Sequence, residues 1–197
     1  MARTRTTDTP KTTAAHLRSI VKSARDAMRK DKGLSGDLDR LPMLTWSRCL
    51  KFLDDMENIR AVEATLADEP YRPAIAPPYG WRDWANTEDG VSGDDLRAFI
   101  NQGEAALPDG SRRPGLFKYL RSLQSRDGSG REEIIATVFR GVSNRMESGY
   151  LLRDVVNLLN RIHFDSSEEM RTLSALHETM LQERCWSRKS ELQNLTW

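Results

Sequence analysis

Cysteine is nearly absent from these 197 residues. Only Cys49 and Cys185 occur, too few for a disulfide framework and in keeping with a reducing, cytoplasmic setting. Long hydrophobic runs are missing too: no segment reaches the roughly 18 consecutive apolar residues that mark a membrane span, so no membrane partner is expected. The basic N-terminus, MARTRTTDTPKTT, lacks an apolar core and a cleavage site and is not a secretory signal. Histidine is scarce. His16, His163 and His177 stand far from one another and from the cysteines, a spacing that builds no zinc site, and no metal is expected. No Gly-x-Gly-x-x-Gly follows a strand, and no Gly-x-x-x-x-Gly-Lys occurs, so no nucleotide or methyl-donor cradle is visible. No local nucleophile motif appears, and triads assembled from distant positions leave no spacing signature. Neither catalytic nor cofactor-binding residues are therefore assigned. Alternating strand patterns are also missing, and the expected fold class is all-α.

Helical periodicity is abundant. Leu17, Ile20, Val21, Ala24 and Met28 repeat at the spacing of one helix face, with Gly33 and Gly36 ending the element. A second helix is expected from Pro42, a good first-turn residue, to about Leu66, apolar all round in its first half and hence central. A Pro- and Trp-containing stretch, EPYRPAIAPPYGWRDWANTEDGV, follows, which Trp81 and Trp84 can pin to the body. Ser92 with Asp95 reads as a capping box opening a helix from Asp94 to Ala106. PDGSRRPG reads as a turn. Further stripes run through Leu116, Phe117, Leu120 and Leu123; through Ile134, Ile135, Val138, Phe139 and Val142; and through Leu152, Val155, Val156, Leu159 and Ile162, with Arg153, Asn157, Asn160 and Arg161 opposite. Ser166 with Glu169 opens a last helix through Leu181. The expectation is one helical, bundle-like domain of six to seven helices over residues 16–183, with a flexible basic arm before it (1–15) and a divergent tail after it (184–197).

Three patterns could carry chemistry. Ala76-Pro77-Pro78-Tyr79 has the outline of the Asn/Asp-Pro-Pro-aromatic loop of amino-methyltransferases, in which a side-chain acceptor holds the target amino group and the ring stacks on a flipped base. Ala76 offers no acceptor, so a stiff polyproline-like loop is the better reading. Asp54, Asp55 and Glu57 could ligate a metal but read more simply as a solvated helix face. The third pattern is charge. The net of +1 conceals a basic segment at 1–40, with 10 Lys and Arg against 5 Asp and Glu. An acidic segment follows at 41–110, with 6 against 13, and a second basic one at 111–163, with 10 against 5. Arg18, Lys22, Arg25 and Arg29 fall within roughly 60° of one another on the first helix at 100° per residue, and Asp26 is the one acidic residue between Leu17 and Lys30. Arg140 and Arg145, with Arg112, Arg113, Lys118, Arg121 and Arg131, form the second block. Spacing leaves two readings open: a solvated face with intrahelical pairs, or contact with nucleic-acid phosphates, which positions a protein without reading sequence.

LDRLPMLTWSRCLKFLDDMENIR and YRPAIAPPYGWRDWA, followed by GLFKYLRSLQ, IIATVFRGVSNRMESGYLLRDVVNLLNRIHFDSSEEM and LSALHETML, resemble the N-terminal helical domain of type I restriction-modification methyltransferase (M) subunits. The resemblance runs from about Ile20 to Leu181, in order. It implies a protein whose full-length relatives transfer a methyl group from S-adenosylmethionine to adenine N6. Two M subunits and a specificity subunit clamp DNA in that family, and restriction subunits join for cleavage. The helical domain is implicated in embracing DNA and sensing its methylation. The resemblance thus favours phosphate contact by Arg18, Lys22, Arg25, Arg29, Arg140 and Arg145, weak and blind to sequence. Partners would be DNA and the specificity, methyltransferase and restriction subunits. Two features depart from the family. QERCWSRKSELQNLTW stands where the family proceeds to its cofactor-binding segment and Asn-Pro-Pro-Phe loop, which implies a catalytically empty remnant of an M subunit. Ser47-Arg48-Cys49 replaces a more apolar stretch. The competing expectations are an independent helical regulator that binds a protein partner and, disfavoured by the missing motifs, a working methyltransferase.

Overall fold

The computed structural model describes residues 14–86, 90–107, 110–124 and 130–162. Seven α-helices lie among them: α1 (Ala14–Met28), α2 (Asp37–Leu66), α3 (Trp81–Trp84), α4 (Gly93–Asn101), α5 (Leu116–Arg121), α6 (Arg131–Phe139) and α7 (Gly149–Leu159). The all-α class holds. Residues 1–13 of the expected arm, the tail, the helix opened by Ser166, and His163, His177 and Cys185 fall outside the described residues, as does the side chain of Leu17, whereas Ala14 and Ala15, expected in the arm, open α1.

The apolar stripes become the core. Ile20, Ala24 and Met28 of α1 are buried against α7, whose Leu152, Val155, Val156 and Leu159 are fully enclosed. α7 also packs on α4 and α2, and α5 packs on α4 and α6. Burying one such aliphatic side chain is worth about 1.5–3 kcal/mol, so these stripes dominate the stability of the body. The first half of α2 is enclosed as expected, with Met43, Trp46, Leu50 and Phe52 all buried. Its last turns emerge, leaving Val62 and Leu66 exposed.

Several boundaries differ from expectation. α2 begins at Asp37 and carries Pro42 within it. Pro42 sits in the second turn, where it forfeits one backbone donor without ending a helix that long-range packing already holds. α4 stops at Asn101, and Ser92 is its N-cap residue but makes no side-chain capping bond. The chain is not strand-free: Ala105–Ala106 (β1) and Arg112–Arg113 (β2) form a small antiparallel ribbon, pairing Ala105 with Arg113 and Ala106 with Arg112. Two-residue strands carry too little alternation to be seen in a sequence.

Two devices join the elements. Gly93 and Gly149 open α4 and α7 in direct apposition: a Cβ at Gly149 would come within 1.7 Å of the Gly93 carbonyl oxygen, so the helix starts approach only because Gly149 has no side chain. Asp31, in the connection after α1, is buried and accepts from the backbone N–H of Gly33, Glu147 and Ser148 at 2.9, 3.0 and 2.9 Å. One carboxylate thereby ties the α1–α2 turn to the start of α7.

Candidate nucleic-acid interface

The α1 stripe survives folding as a single feature. Arg18, Lys22, Arg25 and Arg29 line one cavity of about 470 Å³ together with Val21, Asp26 and Arg48. Helical spacing brings the four α1 cations together, because the same turn positions that bury Ile20, Ala24 and Met28 leave 18, 22, 25 and 29 beside the core. Arg18, Lys22 and Arg29 are exposed and Arg25 is half-buried. Arg29 is ion-paired with Asp26 at 3.1 Å, on an exposed face where such a pair is worth little. Arg18 and Lys22 have no carboxylate partner among the described residues.

Arg48 was not among the expected candidates. It comes from α2 and is half-buried at the cavity, and burial holds its guanidinium pKa below the ordinary value. Helix periodicity places position 48 near the core, so nothing in the sequence marked it except its oddity within Ser47-Arg48-Cys49. The residues on either side of Arg48 are accommodated. The Ser47 hydroxyl donates to the Met43 carbonyl at 2.7 Å, and Cys49 is enclosed, its thiol pushed up to about 12 by burial. Such a thiol is an inert core group rather than a nucleophile.

Arg140 and Arg145 do not join this cavity. Arg140 caps the end of α6 and is exposed. Arg145 is ion-paired with Asp39, and its backbone N–H donates to Met43 Sδ at 3.4 Å, so it fastens the 140–148 connection to α2. The rest of the second basic block also divides. Arg121 donates to the carbonyls of Phe139 and Val142 and lies over the Phe117 ring at 5.7 Å, whereas Arg112, Arg113 and Lys118 are exposed.

The acidic segment on α2 is not the solvated face expected of it. Glu57 accepts from the Tyr71 hydroxyl at 2.6 Å and the Ala74 N–H at 2.9 Å, and pairs with Arg60 and Arg131 at 3.2 and 3.4 Å. Burial, followed by this bond to Glu57, pushes the Tyr71 phenol up to about 12. Asp54 binds Arg82 Nε at 3.0 Å, and Arg82 also donates to the Asp54 carbonyl and to Asn58. Its side-chain bond to Asp54 holds the Arg82 guanidinium protonated, whereas burial raises the Asp83 carboxyl. Asp55 receives Lys51 at 2.5 Å. No group of three or more His, Cys, Asp or Glu among the described residues is placed to hold a metal ion. Asp54 and Glu57 instead fasten the 67–92 connection, and Asp55 pairs within α2.

That connection is sewn down from a second side. Trp81 Nε1 donates to Asn160 Oδ1 at 2.6 Å, and Arg153 donates to the carbonyls of Trp84 and Ala85 at 3.0 and 3.3 Å. Arg153 is therefore buried rather than opposite the core, which corrects the expectation for that face of α7; Asn160 is drawn in with it through its bond to Ala85. Tyr79 stacks on Tyr119 at 3.8 Å and 6°, donates to the Pro114 carbonyl and is buried. Its ring is a packing element, unavailable to a flipped base. The Pro77–Pro78 bond is cis.

The chain is 34% identical over 168 residues to the EcoEI methylase subunit of an Escherichia coli type I restriction enzyme, a match that covers 85% of this chain and 31% of that protein. It is 63% identical, with a TM-score of 0.80, to a modification subunit assigned to a type I restriction enzyme of Vibrio vulnificus YJ016, covering 88% of this chain and 36% of that one. Its homologues are type I restriction enzyme modification (methylase) subunits. A chain from a structure of the type I restriction-modification system, solved to explain complex assembly and conformational transition, matches at 30% identity and a TM-score of 0.60. It covers 88% of this chain and 31% of that one. No family model matches. The chain spans about a third of the length of the modification subunits it matches, consistent with their N-terminal helical domain. No described helix is long and apolar enough to cross a membrane.

Proposed function

We propose that this chain is the DNA-clamp and subunit-interaction domain of a type I adenine-N6 methyltransferase M subunit, catalytically empty by itself and working in the cytoplasm with DNA and with specificity, methyltransferase and restriction subunits. One observation carries the reading: four α1 cations and Arg48 converge on a single cavity with one carboxylate among the lining residues. A field of that sign draws a polyanion, and phosphate contacts made this way position a protein without reading bases. The kinship with modification subunits supplies the methyltransferase context. Ala76 in place of an amide acceptor, together with the enclosed Tyr79, supports the absence of base chemistry.

The test is the salt dependence of duplex binding. Four phosphate contacts give a slope of log K against log salt near about −3.6, with a dissociation constant of about 10⁻⁴ to 10⁻⁶ M at physiological salt. Changing Arg18, Lys22, Arg25 and Arg29 together to Gln removes about three units of that slope while the far-UV dichroism persists. A slope unchanged in that variant makes the stripe a solvated face and removes the reading.

A further inference from the structure

The cavity beside α1 has one wall that α1 does not supply. On α2 the polar neighbours of Arg48 are satisfied within the helix. Thr45 and Ser47 donate to the carbonyls of Leu41 and Met43 at 2.8 and 2.7 Å, and Lys51 is bound to Asp55. Arg48 is different. Its Nε–H is buried and has no acceptor among the described residues. A buried, charge-bearing donor without an acceptor is costly, and each further cation brought near it adds repulsion. Here three guanidinium groups and one ammonium line the same space, and the single carboxylate, Asp26, already serves Arg29.

A group that relieves this arrangement is a compact anion with several acceptors and no donors of its own, which describes a phosphate oxyanion. The space, about 470 Å³, is within the range of ligand cavities and exceeds what one phosphate fills. Val21 gives it an apolar flank suited to a sugar carbon. We propose that the cavity between α1 and α2 is a phosphodiester pocket, in which the Arg48 guanidinium pairs with a phosphate of a DNA strand while the α1 cations neutralise that phosphate and its neighbours. The inference rests on the reading of this face as one that meets DNA. It adds a discrete, geometrically demanding contact to an otherwise diffuse charge.

The experiment uses the whole 197-residue chain, a labelled duplex of 20 base pairs and inorganic pyrophosphate, with wild type, R48Q, R48K and the fourfold α1 variant. R48Q is expected to weaken duplex binding about tenfold, as loss of a charged hydrogen bond does, and to reduce the salt slope by about 0.9. Its melting temperature should equal or exceed wild type, because a stranded cation has been removed; a purely structural Arg48 would lower it. R48K keeps the slope but not the affinity, since an ammonium cannot reproduce the guanidinium fork. If R48Q loses the wild-type dichroism, R48K carries the test. Pyrophosphate at millimolar concentration should displace the duplex from wild type. Should R48Q bind duplex as wild type does while the fourfold variant loses it, the face stands and the pocket falls. Pyrophosphate that raises the wild-type melting temperature alongside that result assigns the cavity to free phosphate and overturns the strand contact. If neither variant changes duplex binding, the reading of the face fails with it.

Discussion

The two ends of the α2 core segment handle charge in opposite ways. Around Asp54 and Glu57, cations and carboxylates meet in close pairs: Arg82 with Asp54, Arg60 and Arg131 with Glu57, and the Tyr71 hydroxyl on the same carboxylate. Around Arg48, two turns earlier, cations meet cations, and the guanidinium Nε–H has no acceptor among the described residues. Both regions are rich in arginine, so composition does not separate them. The difference is saturation. A group whose hydrogen bonds are made inside the chain holds the fold, whereas a cavity lined by five cations and one carboxylate presents a net positive field to something outside it.

Removing a partner from the saturated region should have the largest effect. Glu57→Ala strands the Ala74 N–H and releases Tyr71, Arg60 and Arg131, at a cost of about 3 kcal/mol. In a chain of this size that lowers the melting temperature by about 6–12 °C, and duplex affinity of the folded fraction should not change. Thermal melts followed by circular dichroism, paired with anisotropy, check both. Arg82→Ala comes next. It loses contacts to Asp54 and Asn58 on a half-exposed side chain and should cost about 1 kcal/mol in a urea titration. The fourfold α1 variant should be the mirror image, with stability within about 0.5 kcal/mol of wild type, as surface changes usually are, and its loss confined to DNA. A large stability loss there would erase the distinction between the two regions.

The smallest effect is alkaline. Tyr71 and Cys49 ionise near 10.0 and 9.0 when unperturbed and are both pushed up to about 12 by burial in the fold. The folded state thus holds protons that the unfolded chain releases first. Their contribution is complete below about pH 9 and drains away as pH rises toward 12, so the urea midpoint should fall across that window. A Cys49→Ala, Tyr71→Phe chain should show a shallower fall.

The sequence made the core readable where one helix face meets one neighbour. Ile20, Ala24 and Met28, and likewise Leu152, Val155, Val156 and Leu159, are buried at the positions their spacing predicts, and the same spacing groups the four α1 cations. It misleads where a second surface covers the other face. Arg153 and Asn160 lie opposite the α7 stripe, yet the 67–92 connection folds over them and uses them as anchors. Asp54 and Glu57 read as solvated for the same reason, because Tyr71, Ala74 and Arg82 arrive from outside their helix. Arg48 was hidden in the opposite sense. A charged residue at a core-facing position looks like a packing fault until the cavity beside it is seen. Periodicity reports distance from one axis and is silent about what a loop brings to the far side.

The contrast between the two regions is tested most directly by the arginine side-chain Nε–H signals in a nitrogen-15 correlation spectrum as a short duplex is titrated in at low salt. The Arg48 signal should shift with DNA, in company with those of Arg18, Arg25 and Arg29. Arg82 and Arg131, already held by Asp54 and Glu57, should stay in place. Movement of Arg82 and Arg131 with a silent Arg48 and α1 would contradict the account.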